Sequence, residues 1–375
     1  MLLKIAQEIE SLLVQVKAEC LWSGFKFYPY AIYDASNYYL VTQSSMPQLN
    51  PITPTIYRGK RDERFLGNTA IAYDSGLIAI WDTNSSGMIK KEQLTAMMIH
   101  EMFHAFQQEK GEGRFPNELL GISYPLTVEN VMLRHTERKQ LLKACTAENK
   151  TLQLKRLAQF FQIRAQRQQH LGEHLDYEKA VESVEGTAVY VEFQALQKLT
   201  KGETSLEKFI EGYLTLSRDQ LKIRLSSYNQ GLLLSLIADH LLGEWQVDFM
   251  ESQDYLSDFI LKSLGNRLNT AEVASVDPFT DYDTTEKSLV NNCLHEWEAE
   301  RDEVFDQFEC NKKGQTILGP ITVTGIDPMN ITLNGQMVIH QHFLRIKQGE
   351  EEQVLDGPVK TEIGSHLFDV QRIEW

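Results

Sequence analysis

The chain contains 375 residues, in which 52 Asp and Glu outweigh 37 Lys and Arg and give a formal net charge of −15. This acidic balance argues against a nucleic-acid partner, which is normally bound through clustered positive charge. The sequence has no run of about 18 apolar residues, the length that crosses a bilayer, so neither a membrane-spanning helix nor a membrane partner is expected.

The N-terminal segment lacks the features of a secretion signal. Met1 to Lys17 predicts an amphipathic helix that is interrupted by charged residues. It has neither the continuous apolar core nor the small-residue cleavage site of a signal peptide. The Cys residues are scattered and form no C-x-x-C pair, so neither a disulfide framework nor a cysteine zinc site is indicated. A cytoplasmic location is therefore expected.

Residues 1–87 combine this helix with aromatic-rich strands and end in a predicted hairpin. Two β-rich runs, Gly67 to Tyr73 and Leu77 to Trp81, are joined by Asp74-Ser75-Gly76. Two such runs separated by a short turn predict a pair of adjacent strands immediately before the next helix.

The segment from Met88 to Lys110 predicts that next helix. It contains no Pro or Gly, and its apolar residues recur at helical spacing. Asn84, Ser85 and Ser86 are suitable N-cap residues upstream, and Gly111 is a suitable stop.

This helix carries the pentapeptide His100-Glu101-Met102-Phe103-His104. Because an α-helix turns about every 3.6 residues, positions four apart lie on one face, and both imidazoles can hold one metal ion. With Glu101 beside them, the pattern is the H-E-x-x-H of zinc hydrolases, in which the Glu is the general base. A chance match is a roughly few-per-cent event in a chain with 10 His. The alternative is a core helix whose two histidines are satisfied by hydrogen bonds.

A catalytic zinc ion usually has three protein ligands, so a third is expected from another helix. The best candidate is Glu185, at the edge of the apolar stripe of a helix around residues 182–192. Gly186 and Ala188 are small, which allows this helix to approach another element closely. Glu182, one turn earlier, is the rival ligand or a group that orients an imidazole, and Glu192 is a solvated or orienting carboxylate. An ordinary exposed Glu185 remains the alternative.

Together these residues resemble the gluzincins, zinc peptidases whose third ligand is a Glu on a second helix. Glu185-Gly186-Thr187-Ala188 is similar to the ligand segment of the aminopeptidases in that group. Tyr228-Asn229-Gln230-Gly231 resembles their Y-x-x-G helix start, in which the Tyr donates a hydrogen bond to the oxyanion. The resemblance implies Zn²⁺ held by His100, His104 and Glu185, with Glu101 and Tyr228 as catalytic residues and Tyr177 as the reserve donor.

The sequence departs from the aminopeptidases in two places. The segment between His104 and Glu185 is far longer than theirs and predicts long helices rich in Gln and Arg. The segment that holds a substrate's free amino terminus is absent. In its place stands the predicted hairpin, and thermolysin-like gluzincins bind an extended peptide on an edge strand there. Asn68 and Ala70 are therefore the expected substrate-binding residues, and the expected partner is a peptide or protein substrate.

Residues 88–310 are predicted to be almost all helix, and the pattern changes to strands and turns over 312–375. Asn334-Gly335 is a strong hairpin signal within that last part. His340 and His342 follow it, and their alternation favours an exposed strand face over a metal site.

The predicted fold class is α+β, a mainly helical zincin-like metallopeptidase core with a small N-terminal β-sheet and a C-terminal antiparallel β module. The predicted function is zinc-dependent hydrolysis of peptide bonds. Two alternatives are a catalytically silent gluzincin-like protein that keeps zinc for binding, and a helical interaction protein without a metal. The substrate, the choice between endo- and exopeptidase and the oligomeric state are left open.

Overall fold

The computed structural model describes residues 1–74, 76–84, 89–269, 284–327, 330–349, 351–364 and 369–375. The structure mixes α and β, being 52% helical and 20% strand, with one sheet near each terminus. The helices are α1 (Leu2–Leu13), α2 (Lys91–Glu109), α3 (Glu118–Ile122), α4 (Val128–Cys145), α5 (Lys150–Leu171), α6 (Glu173–Leu199), α7 (Leu206–Phe209), α8 (Ile223–Leu242), α9 (Gln246–Glu251), α10 (Leu256–Leu264), α11 (Asn266–Asn269) and α12 (Thr284–Asn311). Two short 3₁₀ helices cover Ala18–Cys20 and Arg218–Leu221.

Among the described residues, no helix is both long and apolar enough to cross a membrane.

The N-terminal sheet has six strands in the order β3-β4-β2-β1-β6-β5. Its strands are β1 (Tyr30–Tyr33), β2 (Asn37–Val41), β3 (Asn50–Pro51), β4 (Ile56–Lys60), β5 (Thr69–Tyr73) and β6 (Gly76–Asp82). Strand β1 runs parallel to β6, and the other neighbours are antiparallel. The predicted hairpin is confirmed as the pair β5–β6, although Ser75 of its turn lies outside the described residues. Strand β5 is an edge of the sheet, and helix α2 packs against both β5 and β6.

Helix α2 begins later than the sequence predicted. Its N-cap is Lys90, whose backbone is extended and whose side chain makes no capping hydrogen bond. The predicted caps were therefore wrong for Asn84, while Ser85 and Ser86 lie outside the described residues. The predicted stop is confirmed, because Gly111 follows the helix with a φ of 75°, a conformation that suits glycine.

The polar sequence of α4 and α5 forms a buried network of charges with α6. Three arginines and three glutamates, all buried, alternate in space: Arg134, Arg164, Arg167, Glu137, Glu178 and Glu182. Buried charges are tolerated when they are paired and hydrogen-bonded. The network therefore fixes the long α4–α5 hairpin onto the helix that carries Glu185.

Helices α6 and α8 pack closely along much of their length. At the crossing point, a Cβ added to Gly186 would lie 2.4 Å from the Cα of Gly231. No side chain fits there, so both positions require glycine for steric reasons. The expected close approach at Gly186 is thus confirmed, and its partner is the glycine of the Y-x-x-G segment.

The C-terminal sheet is antiparallel and has seven strands in the order β11-β10-β7-β13-β12-β9-β8. Its strands are β7 (Thr316–Ile326), β8 (Ile331–Asn334), β9 (Met337–His340), β10 (Phe343–Gln348), β11 (Glu351–Asp356), β12 (Val359–Ile363) and β13 (Asp369–Glu374). The hairpin predicted at Asn334-Gly335 is confirmed as β8–β9. Helix α12 packs against β8 and α4, so it connects this sheet to the helical body.

One prediction for this sheet was wrong. His340 is not on an exposed face, since only 2% of its surface is accessible, and its Nε2 lies 3.2 Å from the Thr361 hydroxyl. His342 lies beyond the end of β9, is exposed, and pairs with Asp327. The two histidines therefore do not share a strand face.

Candidate metal centre

His100 and His104 lie one turn apart on the partly exposed edge of the otherwise buried helix α2. Their Nε2 atoms are 3.1 Å apart, and about a tenth of each side chain is accessible to solvent (10% and 12%). The helical repeat alone produces this pairing, because residues four apart lie on the same face. Both imidazoles thus direct Nε2 toward one point in space.

Glu185 on α6 completes a set of three potential ligands. Its Oε2 lies 3.6 Å from the Nε2 of His100 and 3.4 Å from the Nε2 of His104. A tetrahedral zinc ion holds nitrogen and oxygen ligands at about 2.0–2.1 Å, which places the ligand atoms about 3.3 Å from one another. The three observed spacings fit this geometry, and the donor set could hold a metal ion.

The charge on Glu185 also suits a cation. Burial opposes ionisation, but His104 and His100 lower the pKa of its carboxyl well below the usual range. The Oε1 atom of the same carboxylate accepts a hydrogen bond of 2.8 Å from Arg224. One oxygen is therefore oriented by an arginine while the other faces the imidazoles.

The other ring nitrogen of each histidine has its own partner. Nδ1 of His100 lies 3.0 Å from a Glu192 oxygen, and Nδ1 of His104 lies 2.8 Å from Oε1 of Gln107. Gln107 is itself held in place, because its amide donates to the carbonyl of Val184 and the hydroxyl of Thr187. Such contacts fix the ring orientation and the tautomer of a metal-binding histidine.

Glu192 was among the expected orienting carboxylates, and Gln107 was not identified from the sequence. Gln107 stands three residues after His104, a spacing that brings two side chains together on a helix surface. That spacing was the available signal. Its significance depends on α6, which lies opposite and fixes the amide.

Glu182 is not part of the candidate metal centre. Its two carboxylate oxygens accept hydrogen bonds of 2.6 Å from the guanidinium of Arg164, and Gln230 donates to it as well. The rival assignment of Glu182 as third ligand is therefore wrong, because the one-turn offset from Glu185 directs it into the buried charge network.

Glu101 is buried beside the three ligands and accepts no hydrogen bond from any residue in the described part of the chain. Burial, its largest influence, raises the pKa of its carboxyl, and the histidines on either side oppose that rise. The placement of Glu101 next to a potential metal site is what a group that binds or deprotonates a water molecule requires.

Tyr228 lies on α8, one turn after Arg224. Burial and the charge of Glu185 raise the pKa of its hydroxyl above the usual value, and the charge of Arg224 opposes that rise. The structure thus brings Tyr228 to the centre. Tyr177 is elsewhere engaged, since its hydroxyl donates to Glu118 at 3.1 Å.

Arg224 and Glu118 were not identified from the sequence. Arg224 forms an ion pair with Glu118 on α3 as well as with Glu185. These pairs join elements that are far apart in the chain, and no local pattern marks them.

The two expected substrate-binding residues lie at the edge strand. The side-chain oxygen of Asn68 accepts a hydrogen bond of 2.8 Å from the backbone N–H of Asp82, so it stabilises the hairpin. Ala70 is buried and pairs with Ala79 of β6. Strand β5 has β6 as its single neighbour in the order of the described strands, so its other edge faces no strand of this sheet.

Comparison of the chain with family models, with curated proteins and with solved structures gives no match. The functional assignment therefore rests on the residues of this chain.

Proposed function

We propose that this protein is a zinc-dependent peptidase with a gluzincin-like catalytic centre. The observation that carries the proposal is the convergence of His100, His104 and Glu185 at tetrahedral spacing with Glu101 buried beside them. A buried carboxylate next to a three-ligand site is the arrangement that hydrolysis by an activated water requires.

In this proposal, bound Zn²⁺ supplies a Lewis acid that makes a water molecule more acidic and polarises the scissile carbonyl. Glu101 takes a proton from the water as its oxygen attacks the carbonyl carbon. The C–N bond then breaks, and Glu101 returns the proton to the leaving amine. The proton taken from the water therefore ends on the leaving amine, and no other acid or base is needed.

Tyr228 is the proposed donor to the carbonyl oxygen as negative charge develops on it. Its hydroxyl is beside Glu185, and Arg224 in turn holds Glu185. A donor in this position is worth about 10²–10³ in rate.

The edge strand β5 is the proposed binding site for an extended peptide. It lies at the edge of the sheet and packs on α2, the helix of the two histidines. A peptide adds to such an edge through main-chain hydrogen bonds, which hold the backbone without regard to sequence. In this proposal Asn68 maintains the hairpin, and the main chain around Ala70 meets the substrate.

The proposal is tested with Glu101→Gln and His104→Ala. Purified Glu101→Gln is expected to keep the wild-type zinc content but to lose hydrolysis of a peptide library, whereas His104→Ala is expected to lose the zinc. Glu92→Gln, on the first turn of the same helix, is the matched control and should behave as wild type.

Full activity of Glu101→Gln would exclude the proposed mechanism, and unchanged zinc in His104→Ala would exclude the ligand assignment. Zinc in the wild-type protein without hydrolysis of any library peptide would favour the catalytically silent alternative. Absence of zinc from wild-type protein purified without added metal would favour the interaction protein.

A further inference from the structure

A cavity of about 600 Å³ lies where the helical body meets the C-terminal sheet. It is bounded by α3 and the residues that follow it, by the start of α8, by α12 and by strand β8. Ligand sites in proteins commonly enclose about 300–1,000 Å³. The cavity is thus large enough for several side chains of a peptide.

The cavity adjoins the candidate metal centre through two ion pairs. Arg224 and Glu118 both line it, and Arg224 forms ion pairs with Glu118 and with Glu185. Tyr177, which donates to Glu118, lines the same wall. Arg224 therefore lines one end of the cavity and also contacts Glu185, a proposed zinc ligand.

Five of the six charged residues in the cavity wall form ion pairs within the protein, and the sixth, Glu298, lies 3.8 Å from a ring nitrogen of the exposed His295. Besides the pair formed by Arg224 and Glu118, the charged lining residues contact other side chains as follows: Lys222 with Asp219, Arg301 with Asp302, Glu300 with Arg218 and Glu298 with His295. The surface that the wall exposes to a ligand is mainly apolar. Trp297 of α12, Leu333 of β8 and Leu225 of α8 are partly or largely exposed there.

We propose that this cavity is a specificity pocket that receives a bulky apolar side chain of the peptide substrate, next to the bond that is cut. The proposal rests on the peptidase function proposed above and adds the substrate class. Since α12 and β8 supply one wall, the C-terminal sheet is part of substrate recognition. Burial of a large apolar side chain is expected to give a preference of about 10- to 100-fold for such a residue, which corresponds to about 1.4–2.7 kcal/mol.

The test uses the full-length protein and two capped peptides of Gly and Ser that differ at one central position, Phe in one and Gly in the other. Leu333→Asp places a charge in the pocket, and Trp297→Ala removes its largest apolar side chain. Leu318→Asp, on strand β7 and 70% exposed, is the matched control outside the cavity. Circular dichroism and zinc content establish that each variant is folded and loaded.

The wild-type protein and the Leu318 variant are expected to cleave the Phe peptide about 10- to 100-fold more efficiently, in kcat/KM, than the Gly peptide. The two pocket variants are expected to lose most of this ratio, because their kcat/KM on the Phe peptide falls toward that on the Gly peptide. Equal activity of the wild-type protein on both peptides, or an unchanged ratio in both pocket variants, would overturn the proposal.

Binding to the Glu101→Gln protein separates this proposal from the peptidase function. Fluorescence anisotropy of the labelled Phe peptide is expected to show tighter binding than the Gly peptide, and the preference should disappear when Leu333→Asp is added. Such selective binding without any hydrolysis by the wild-type protein would support the pocket and contradict the peptidase function. Hydrolysis of both peptides without a preference for Phe would support the peptidase function and contradict the pocket.

Discussion

Gly186 of α6 and Gly231 of α8 are in direct backbone contact, so that a Cβ on Gly231 would lie 2.3 Å from the carbonyl oxygen of Glu182. Glu185 immediately precedes Gly186, and Tyr228 lies one turn before Gly231. The contact between the two glycines therefore sets the distance between the proposed third ligand and the proposed oxyanion donor. It also brings Arg224 within reach of Glu185.

Replacement of Gly231 by Ala is expected to force α6 and α8 apart. Because the added methyl would meet backbone atoms that cannot rotate away, we expect a loss of about 1–3 kcal/mol in unfolding free energy. Zinc affinity should fall as well, since Glu185 moves with α6. Gly113→Ala is the matched control, because its methyl would meet only a Gln253 side-chain oxygen at 3.8 Å. Urea denaturation and chelator competition measure both effects, and wild-type values for Gly231→Ala would contradict the packing argument.

Glu192→Ala is expected to weaken zinc binding without abolishing it. The carboxylate orients His100 through Nδ1, and loss of such a partner typically reduces metal affinity about 10- to 100-fold. Competition with a fluorescent zinc chelator measures the affinity. Glu173→Ala, at the exposed start of the same helix, should leave it unchanged. An affinity within twofold of wild type for Glu192→Ala would indicate that the orienting contact has no effect.

Arg164→Met is expected to destabilise the protein by about 3–5 kcal/mol, because it leaves the buried Glu137 and Glu182 short of a positive partner. Thermal and urea denaturation measure the loss. Lys155→Met, on the exposed face of the same helix, should change stability little. A stability near that of wild type for Arg164→Met would mean that the network is not a significant source of stability.

His340 is expected to make the protein less stable in mild acid. Burial lowers the pKa of its imidazole to about 4 from an ordinary 6.5. Between these values the unfolded chain binds a proton that the folded chain does not, so stability is full above pH 6.5 and falls as the pH drops toward 4. The loss amounts to about 3 kcal/mol of unfolding free energy.

Denaturation of the wild-type protein and of His340→Gln across this pH range measures that contribution. The variant should show a smaller loss of stability, while His342→Gln, which alters an exposed histidine, should retain the full loss. Identical pH profiles for wild type and His340→Gln would refute the assignment.

Features that depend on neighbouring residues in the chain were predictable from the sequence. The pairing of His100 with His104 follows from the helical repeat, which local backbone hydrogen bonds impose. The β5–β6 and β8–β9 hairpins follow from short turns between strand-forming runs. The start of α2 was mispredicted, because good capping residues upstream do not oblige a helix to begin there.

Contacts between distant segments required the tertiary structure. The sequence named both Glu185 and Glu182 as possible ligands, and only the packing of α5 against α6, which pairs Glu182 with Arg164, separated them. Gln107, Arg224 and Glu118 acquire their roles from helices opposite them. His340 was expected on an exposed face, but burial depends on what covers a strand, and alternation does not reveal that.

The sequence by itself therefore determined the two histidines, the neighbouring glutamate and the local elements that carry them, because helix and turn geometry act over a few residues. The tertiary structure decided which glutamate faces the histidines, which groups orient them and which surface adjoins the centre. The physical reason is the meeting of Gly186 and Gly231. The sequence predicted a close approach at Gly186, but only the packing of α6 on α8 identifies Gly231 as its partner, and this meeting of two positions without side chains assembles the site.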